Sequence, residues 1–142
     1  MFLILGVLIS GGRNNTVGKP LQSVEIYIPG SNVGCSLPQL PEGREMHTQD
    51  GRLACGGSRS SFSNTDTTCV KWSSDSGTWS QSHTLRKSRS GHVSWNTKDG
   101  VYLIGGWDGQ GNAGNVHSSR QTTELVKEDG TVEDGFSLKY PT

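Results

Sequence analysis

A mostly apolar run closed by two glycines occurs three times in this chain: Val7-Leu8-Ile9-Ser10-Gly11-Gly12, Arg52-Leu53-Ala54-Cys55-Gly56-Gly57 and Val101-Tyr102-Leu103-Ile104-Gly105-Gly106. Gly11 to Gly56 spans 45 positions and Gly56 to Gly105 spans 49. A near-regular period of this size marks an array in which each repeat is one supersecondary unit that buries its apolar surface against its neighbours. The 142 residues, ordinarily enough for one domain with one core, therefore divide into about three units, assigned to residues 1–40, 41–85 and 86–142.

The residues around the glycines repeat as well. Arg44-Glu45-Met46-His47 opens the second unit and Arg89-Ser90-Gly91-His92 the third, an R-x-x-H pattern recurring after 45 positions. Each is followed by Asp-Gly, Asp50-Gly51 and Asp99-Gly100, which favours a tight hairpin because glycine takes positive φ without steric cost. The next strand runs into the diglycine. Long polar loops follow at residues 58–67 and 107–121, then third strands at 68–72 and 122–127. Turns at Ser76-Gly77 and Asp129-Gly130 lead to fourth strands that place Trp79 and Phe136 where a large aromatic packs between neighbouring units.

The first unit is read the same way. A polar loop covers residues 13–22, and the alternation in residues 23–28 puts Val24, Ile26 and Ile28 on one strand face. Pro29-Gly30 makes a turn, a short strand covers 33–36, and the proline-containing stretch 37–41 is a connection. Residues 1–12 carry two readings. An apolar start followed by Ser10, Gly11 and Gly12 is patterned like a signal peptide without its basic residues, while the register with the later repeats makes the same residues a strand. The run is too short to cross a membrane as a helix, which takes about 20 apolar residues.

Thirteen basic and thirteen acidic side chains cancel, which removes the electrostatic footprint of a nucleic-acid or anionic-membrane binder. With 30% hydrophobic and 7% aromatic residues but regularly spaced apolar runs, the composition fits many short strands joined by polar loops.

Cys35, Cys55 and Cys69 lack the C-x-x-C spacing of a zinc site. Buried free thiols are one reading. The other is a disulfide: Cys55 and Cys69 face each other if strands two and three of the middle unit are neighbours, leaving Cys35 unpaired.

R-x-x-H, a strand ending in Gly-Gly and an aromatic farther on, as from Gly56-Gly57 to Trp79, together resemble the kelch repeat. The resemblance covers nearly the whole chain. It implies an all-β fold, a partial kelch-type β-propeller of about three four-stranded blades, and hence the remaining blades or a second chain to close the ring, since propellers typically have about four to eight blades. Two departures are plain: no Trp lies near residues 33–37, and Phe136 stands in the third unit's tryptophan position. Cys35-Ser36-Leu37-Pro38 and Ala54-Cys55-Gly56-Gly57 also resemble secreted invertebrate kelch-like proteins, which implies an extracellular, disulfide-bonded protein; a cytosolic kelch adaptor with free thiols is the alternative.

The recurrence of Arg44, His47, Arg89 and His92 at equivalent positions points to structural roles. His83 and His117 show no paired ligand spacing, no G-x-S-x-G turn supports a hydrolytic triad, and Gly105-Gly106-Trp107-Asp108-Gly109 lacks the lysine and helix of a phosphate loop. Glu128-Asp129 and Glu133-Asp134 fall in solvated turns. Asn14-Asn15-Thr16 is a glycosylation acceptor pattern. The expected function is non-catalytic binding of a protein or glycan through loops 58–67 and 107–121, with Arg59, Trp107 and Asp108 as contact residues, Arg and Trp being over-represented among residues that dominate binding. No cofactor or metal is expected. The rival from another class is a galactose-oxidase-like copper enzyme, whose tyrosine ligands would have to come from Tyr27, Tyr102 or Tyr140.

Overall fold

The computed structural model describes residues 6–60, 64–109 and 121–140. These are all-β, with no helix among them. The strands are β1 (Val7–Ser10), β2 (Arg13–Asn14), β3 (Lys19–Pro20), β4 (Val24–Tyr27), β5 (Gly34–Leu37), β6 (Thr48–Asp50), β7 (Leu53–Cys55), β8 (Thr68–Ser73), β9 (Thr78–Thr84), β10 (Val93–Thr97), β11 (Gly100–Ile104), β12 (Thr122–Val126) and β13 (Val132–Ser137). They form an N-terminal sheet ordered β1-β4-β5, a middle sheet β6-β7-β8-β9, a C-terminal sheet β10-β11-β12-β13, and the small pair β2-β3. All pairings are antiparallel, and Asp-Gly turns close the β6–β7, β10–β11 and β12–β13 hairpins.

Val7–Ser10 is a strand in register with β4, Val7 opposite Tyr27 and Ser10 opposite Val24; residues 1–5 lie outside the described residues. Two expectations for the first unit need correction. Residues 13–22 are not simply a loop, because Asn14 Oδ1 accepts the backbone N–H groups of Thr16 and Val17 at 2.8 and 3.3 Å and Gly18 N–H donates to Asn14 O at 2.8 Å. That turn closes β2 onto β3. The strand expected at 33–36 sits one residue later, because Leu37 packs against the core while Val33 is exposed.

Two apolar clusters lie in series along the chain. Val24, Leu40, Ala54, Val70 and Trp79 join the N-terminal and middle sheets, with Leu8, Leu37 and Trp72 packed against them. Each of the larger aliphatic side chains, Val24, Leu40 and Val70, contributes roughly 1.5–3 kcal/mol on burial. Trp79 Nε1–H donates to Pro38 O at 3.0 Å, so the fourth-strand tryptophan grips the connection that enters its own sheet. Cys55, Cys69, Leu85, Leu103 and Val126 join the middle and C-terminal sheets. Cys55 and Cys69 are directly opposite in the β7–β8 register and are disulfide-bonded. The buried free-thiol reading fails for this pair, and the free cysteine, Cys35, is exposed.

Leu40, Leu85 and Leu138 mark the end of each sheet in the same manner. Their N–H groups donate to Gln22 O, Thr67 O and Gln121 O, at 2.9, 2.6 and 2.7 Å. Phe136 departs from the expected packing between units: it is exposed on β13 and leans on Tyr102 instead.

Candidate binding surface

The ends of the sheets that carry the diglycines are built around the two opening arginines. Arg89 is fully buried, and its Nη1 donates to Gly105 O at 2.7 Å and Thr122 O at 2.9 Å while Nη2 donates to Thr122 Oγ1 at 2.7 Å. Arg44 repeats this set on Gly56 O at 3.0 Å, Thr68 O at 2.9 Å and Thr68 Oγ1 at 2.7 Å. The guanidinium's fixed fork of donors suits two carbonyls that close the second strand and open the third. A charge this deep requires a counter-ion. Arg89 finds Glu124 at 2.7 Å, and Arg44 finds Asp66 at 2.8 Å.

Asp66 serves two arginines, since Arg59 also reaches it through Nε at 2.6 Å and Nη2 at 2.9 Å. Burial pushes the Asp66 carboxyl up; the Arg59 hydrogen bonds, the Arg44 charge and the Thr68 donors outweigh it and hold Asp66 below its ordinary value. Arg59 also pairs with Glu42. Nearby, Arg13 forks onto buried Glu45 at 2.5 and 2.6 Å, and this hydrogen bonding lowers the Glu45 pKa.

The histidines lock one unit to the next. A side chain at Gly11 would collide with Arg44 O and the His47 ring, and one at Gly56 with Arg89 O and the His92 ring. Glycine is required there for that approach, and both residues have positive φ, 63° and 64°. Gly12 N–H donates to Arg44 O and Gly57 N–H to Arg89 O, each at 2.7 Å, so each diglycine seats the opening of the following unit. His47 Nε2 lies 2.8 Å from Ser10 Oγ, and His92 Nε2 lies 2.8 Å from Thr48 Oγ1.

Those distances suit a nucleophile and its base, but the proton runs the wrong way at the first pair. Ser10 Oγ donates to Gln49 Oε1 at 2.6 Å, so its oxygen accepts from His47 Nε2–H. In that arrangement the ring ties the second unit to the end of β1. Desolvation, helped by the Arg44 charge, lowers the His47 pKa to about 4, and desolvation with Arg89 and His47 lowers His92 to about 3. Both rings are neutral near pH 7.

Arg59, Trp107 and Asp108 all sit at this diglycine end. Arg59 is engaged with Asp66 and Glu42, so much of its charge is balanced internally. Trp107 exchanges backbone hydrogen bonds with Ser90, both at 2.9 Å, and is half-buried. Asp108 O accepts from Thr65 Oγ1 at 2.7 Å and Ser88 Oγ at 3.1 Å, which ties the loop after the third diglycine to the loop after the second. Residues 61–63 and 110–120, including His117, lie outside the described residues. The counter-ions Asp66, Glu124 and Glu45 carry no sequence signal: Asp66 stands two positions before its threonine and Glu124 two after.

At the opposite end, a cleft of about 420 Å³ opens between the middle and C-terminal sheets, lined by residues including Asp50, Arg52, Lys71, Lys98, Lys127 and Glu128. Lys71 bridges it to Glu128 at 2.9 Å, Asn96 Nδ2 donates to Asp50 Oδ1 at 2.8 Å, and buried His83 donates from Nε2 to Lys127 O at 2.7 Å. These are cross-sheet ties. Tyr27 and Tyr102 lie in different sheets and Tyr140 near the chain end.

No protein-family model and no curated protein sequence matches the chain. Among solved structures it is similar to one described as "Structure of YjhT", with a TM-score of 0.73 at 15% identity, covering 99% of this chain and 52% of that one. The chain thus spans about half the length of the structure it matches, and the likeness is one of fold.

Proposed function

We propose that the chain is an arc of a kelch-type β-propeller and works as a non-catalytic binding module, its three sheets being successive blades and its diglycine-end loops the surface offered to a protein or glycan. The observation that carries this reading is the repeated lock: the Arg44 and Arg89 carbonyls on Gly12 and Gly57, with His47 and His92 against Gly11 and Gly56. A lock of this kind orients each unit on the one before it and holds the loops beside it in fixed relation. A rigid scaffold carrying variable loops is a common way to build a recognition surface. The Thr65–Asp108 hydrogen bond joins the described parts of two of those loops.

An extracellular setting suits the buried Cys55–Cys69 disulfide, since such bonds persist in oxidising compartments. No helix among the described residues is long and apolar enough to cross a membrane. Asn14 sits in an exposed hairpin, within reach of a glycosyl transferase.

The test is a screen of the intact chain against immobilised oligosaccharides and extracellular proteins, followed by alanine substitution of Trp107, Arg59 and Asp108. Loss of affinity of about tenfold or more at Trp107, the scale of a contact residue that dominates binding, with an unchanged melt, is the expected result. A ligand whose affinity responds to Lys71 or Lys98 and not to these three moves the site to the opposite cleft and overturns the assignment.

A further inference from the structure

The sheets meet through one kind of junction, used twice, and the two faces left outside it are its two halves. By register, Leu53, Cys55 and Cys69 of the middle sheet correspond to Tyr102, Ile104 and Thr123 of the C-terminal sheet. In the middle sheet that face is covered, Cys55 and Cys69 being buried against Leu103 and Val126. In the C-terminal sheet it carries an aromatic run, Trp95 stacked on Tyr102 at 5.8 Å and Tyr102 against Phe136 at 5.6 Å, with Trp95 56% exposed and Phe136 and Val93 exposed beside it.

The N-terminal sheet shows the other half. Its Ile9 corresponds to buried Ala54 and Leu103, and its Tyr27 to Trp72 and Val126. Ile9 is 55% exposed, and Val7 and Tyr27 on the same face are exposed too. Single exposed apolar side chains need no explanation, but these fall by register on the two faces that the inner junctions cover.

We infer that the two faces mate between copies of this chain, the aromatic face of one C-terminal sheet on the Val7–Ile9–Tyr27 face of another, with two copies closing into a ring. A second copy fits because the faces are opposite halves of one junction, so the contact is head-to-tail and repeats those already present at the two inner cores. Heterologous contacts of this sort form rings when the rotation closes. Length agrees: this chain covers 52% of the solved structure it resembles, so two copies in series span its length. The inference rests on the reading of the three sheets as consecutive blades.

The test is sedimentation equilibrium of the intact chain over a wide concentration range, in a Cys35→Ser background that removes the exposed thiol. Wild-type contacts are expected to give a dimer. Trp95→Asp and Ile9→Asp, each spoiling one face, are expected to be folded monomers alone, with the wild-type circular-dichroism spectrum and a melt that no longer depends on concentration. Mixed, they keep one intact junction and are expected to form a 1:1 dimer. A chain that is monomeric throughout, one that grows past two copies, or an Ile9→Asp variant that dimerises alone overturns the proposal. Carbodiimide cross-linking of Lys71 to Glu128 in the monomeric variants reports the junction within the chain. A chain that cross-links yet never pairs loses the dimer and keeps the arc. A chain without the cross-link loses both.

Discussion

The openings of the middle and C-terminal sheets use one backbone solution and two electrostatic ones. Arg44 and Arg89 bind the same three atoms, a diglycine carbonyl and the carbonyl and hydroxyl of a third-strand threonine. Arg89 has the buried carboxylate Glu124 on its Nε, and Glu124 also accepts the Arg86 N–H at 2.5 Å. Arg44 shares Asp66 with Arg59, and its Nε has no hydrogen-bond partner among the described residues. The donor fork and the chain path together determine where the arginine must sit. The counter-ion is free to come from any element that packs nearby.

The largest expected effect tests that contrast. Arg89→Ala strands Glu124 as a buried, uncompensated charge, and removing one partner of such a pair costs about 3–5 kcal/mol. Arg44→Ala leaves Asp66 forked by Arg59, so its cost is expected nearer about 2 kcal/mol, that of the lost hydrogen bonds. Urea midpoints of the two variants decide the matter, and equal losses would erase the distinction. Adding Arg59→Ala to Arg44→Ala should cost more than the sum of the two single changes.

The two junctions differ as well. The first is held by Val24, Ala54, Val70 and Trp79, while the second packs on the Cys55–Cys69 bond, which staples β7 to β8 within the middle sheet. With the cysteines 14 positions apart, Cys55→Ala with Cys69→Ala should lower stability by about 3 kcal/mol through the freed unfolded chain. Reductant should then shift the wild-type melt and leave the double variant unmoved.

Acid sharpens the comparison of the two histidine struts. Both folded-state pKa values lie below the ordinary 6.5, at about 4 for His47 and about 3 for His92. Between about 6.5 and 4 the unfolded chain binds protons that the folded chain refuses, so stability falls as pH drops through that window. Each of His47→Gln and His92→Gln should remove about half of the histidine slope there. Below about 4 the remaining histidine slope should belong to His92, and urea midpoints across the range would show whether it does.

The smallest effect concerns Met46 and Gly91, equivalent third positions of R-x-x-H, both with positive φ of 55° and 63° and joined by Gly91 N–H donating to Met46 O at 2.8 Å. A side chain in the left-handed region costs about 1–2 kcal/mol, which the greater unfolded-state freedom of glycine partly offsets. Met46→Gly should raise stability by under about 1 kcal/mol and Gly91→Ala lower it by about 1 kcal/mol, both read from thermal melts. A stabilising Gly91→Ala would show that the two positions are not equivalent after all.

Much of the strand layout was legible in the chain itself, because it rests on local rules. Asp50-Gly51 and Asp99-Gly100 announce hairpins through glycine's backbone freedom, the diglycines mark the ends of second strands, and the Arg44/His47 and Arg89/His92 repeats point to structural positions. Trp79 between sheets follows from its place on a fourth strand. The β2–β3 pair was missed because it hangs on one side-chain oxygen, Asn14 Oδ1, capping two N–H groups. The ion pairs of Arg59 with Glu42 and Asp66 are not legible in the chain, because they depend on how its loop folds back and follow no periodic spacing.

By itself, the sequence determined the all-β class, the period of the units, the turns, and the residues that recur in each opening, all consequences of backbone sterics and short-range patterning. Tertiary structure alone decided which carboxylate meets which arginine, that Ser10 and Thr48 serve as histidine partners, that Cys55 and Cys69 rather than Cys35 are bonded, and that Phe136 faces outward beside Tyr102. Those outcomes depend on strand register within a sheet and on how one sheet lies against the next, and side chains brought together across 35 or 44 positions, as Arg89 with Glu124 and His92 with Thr48 are, leave no periodic trace along the chain.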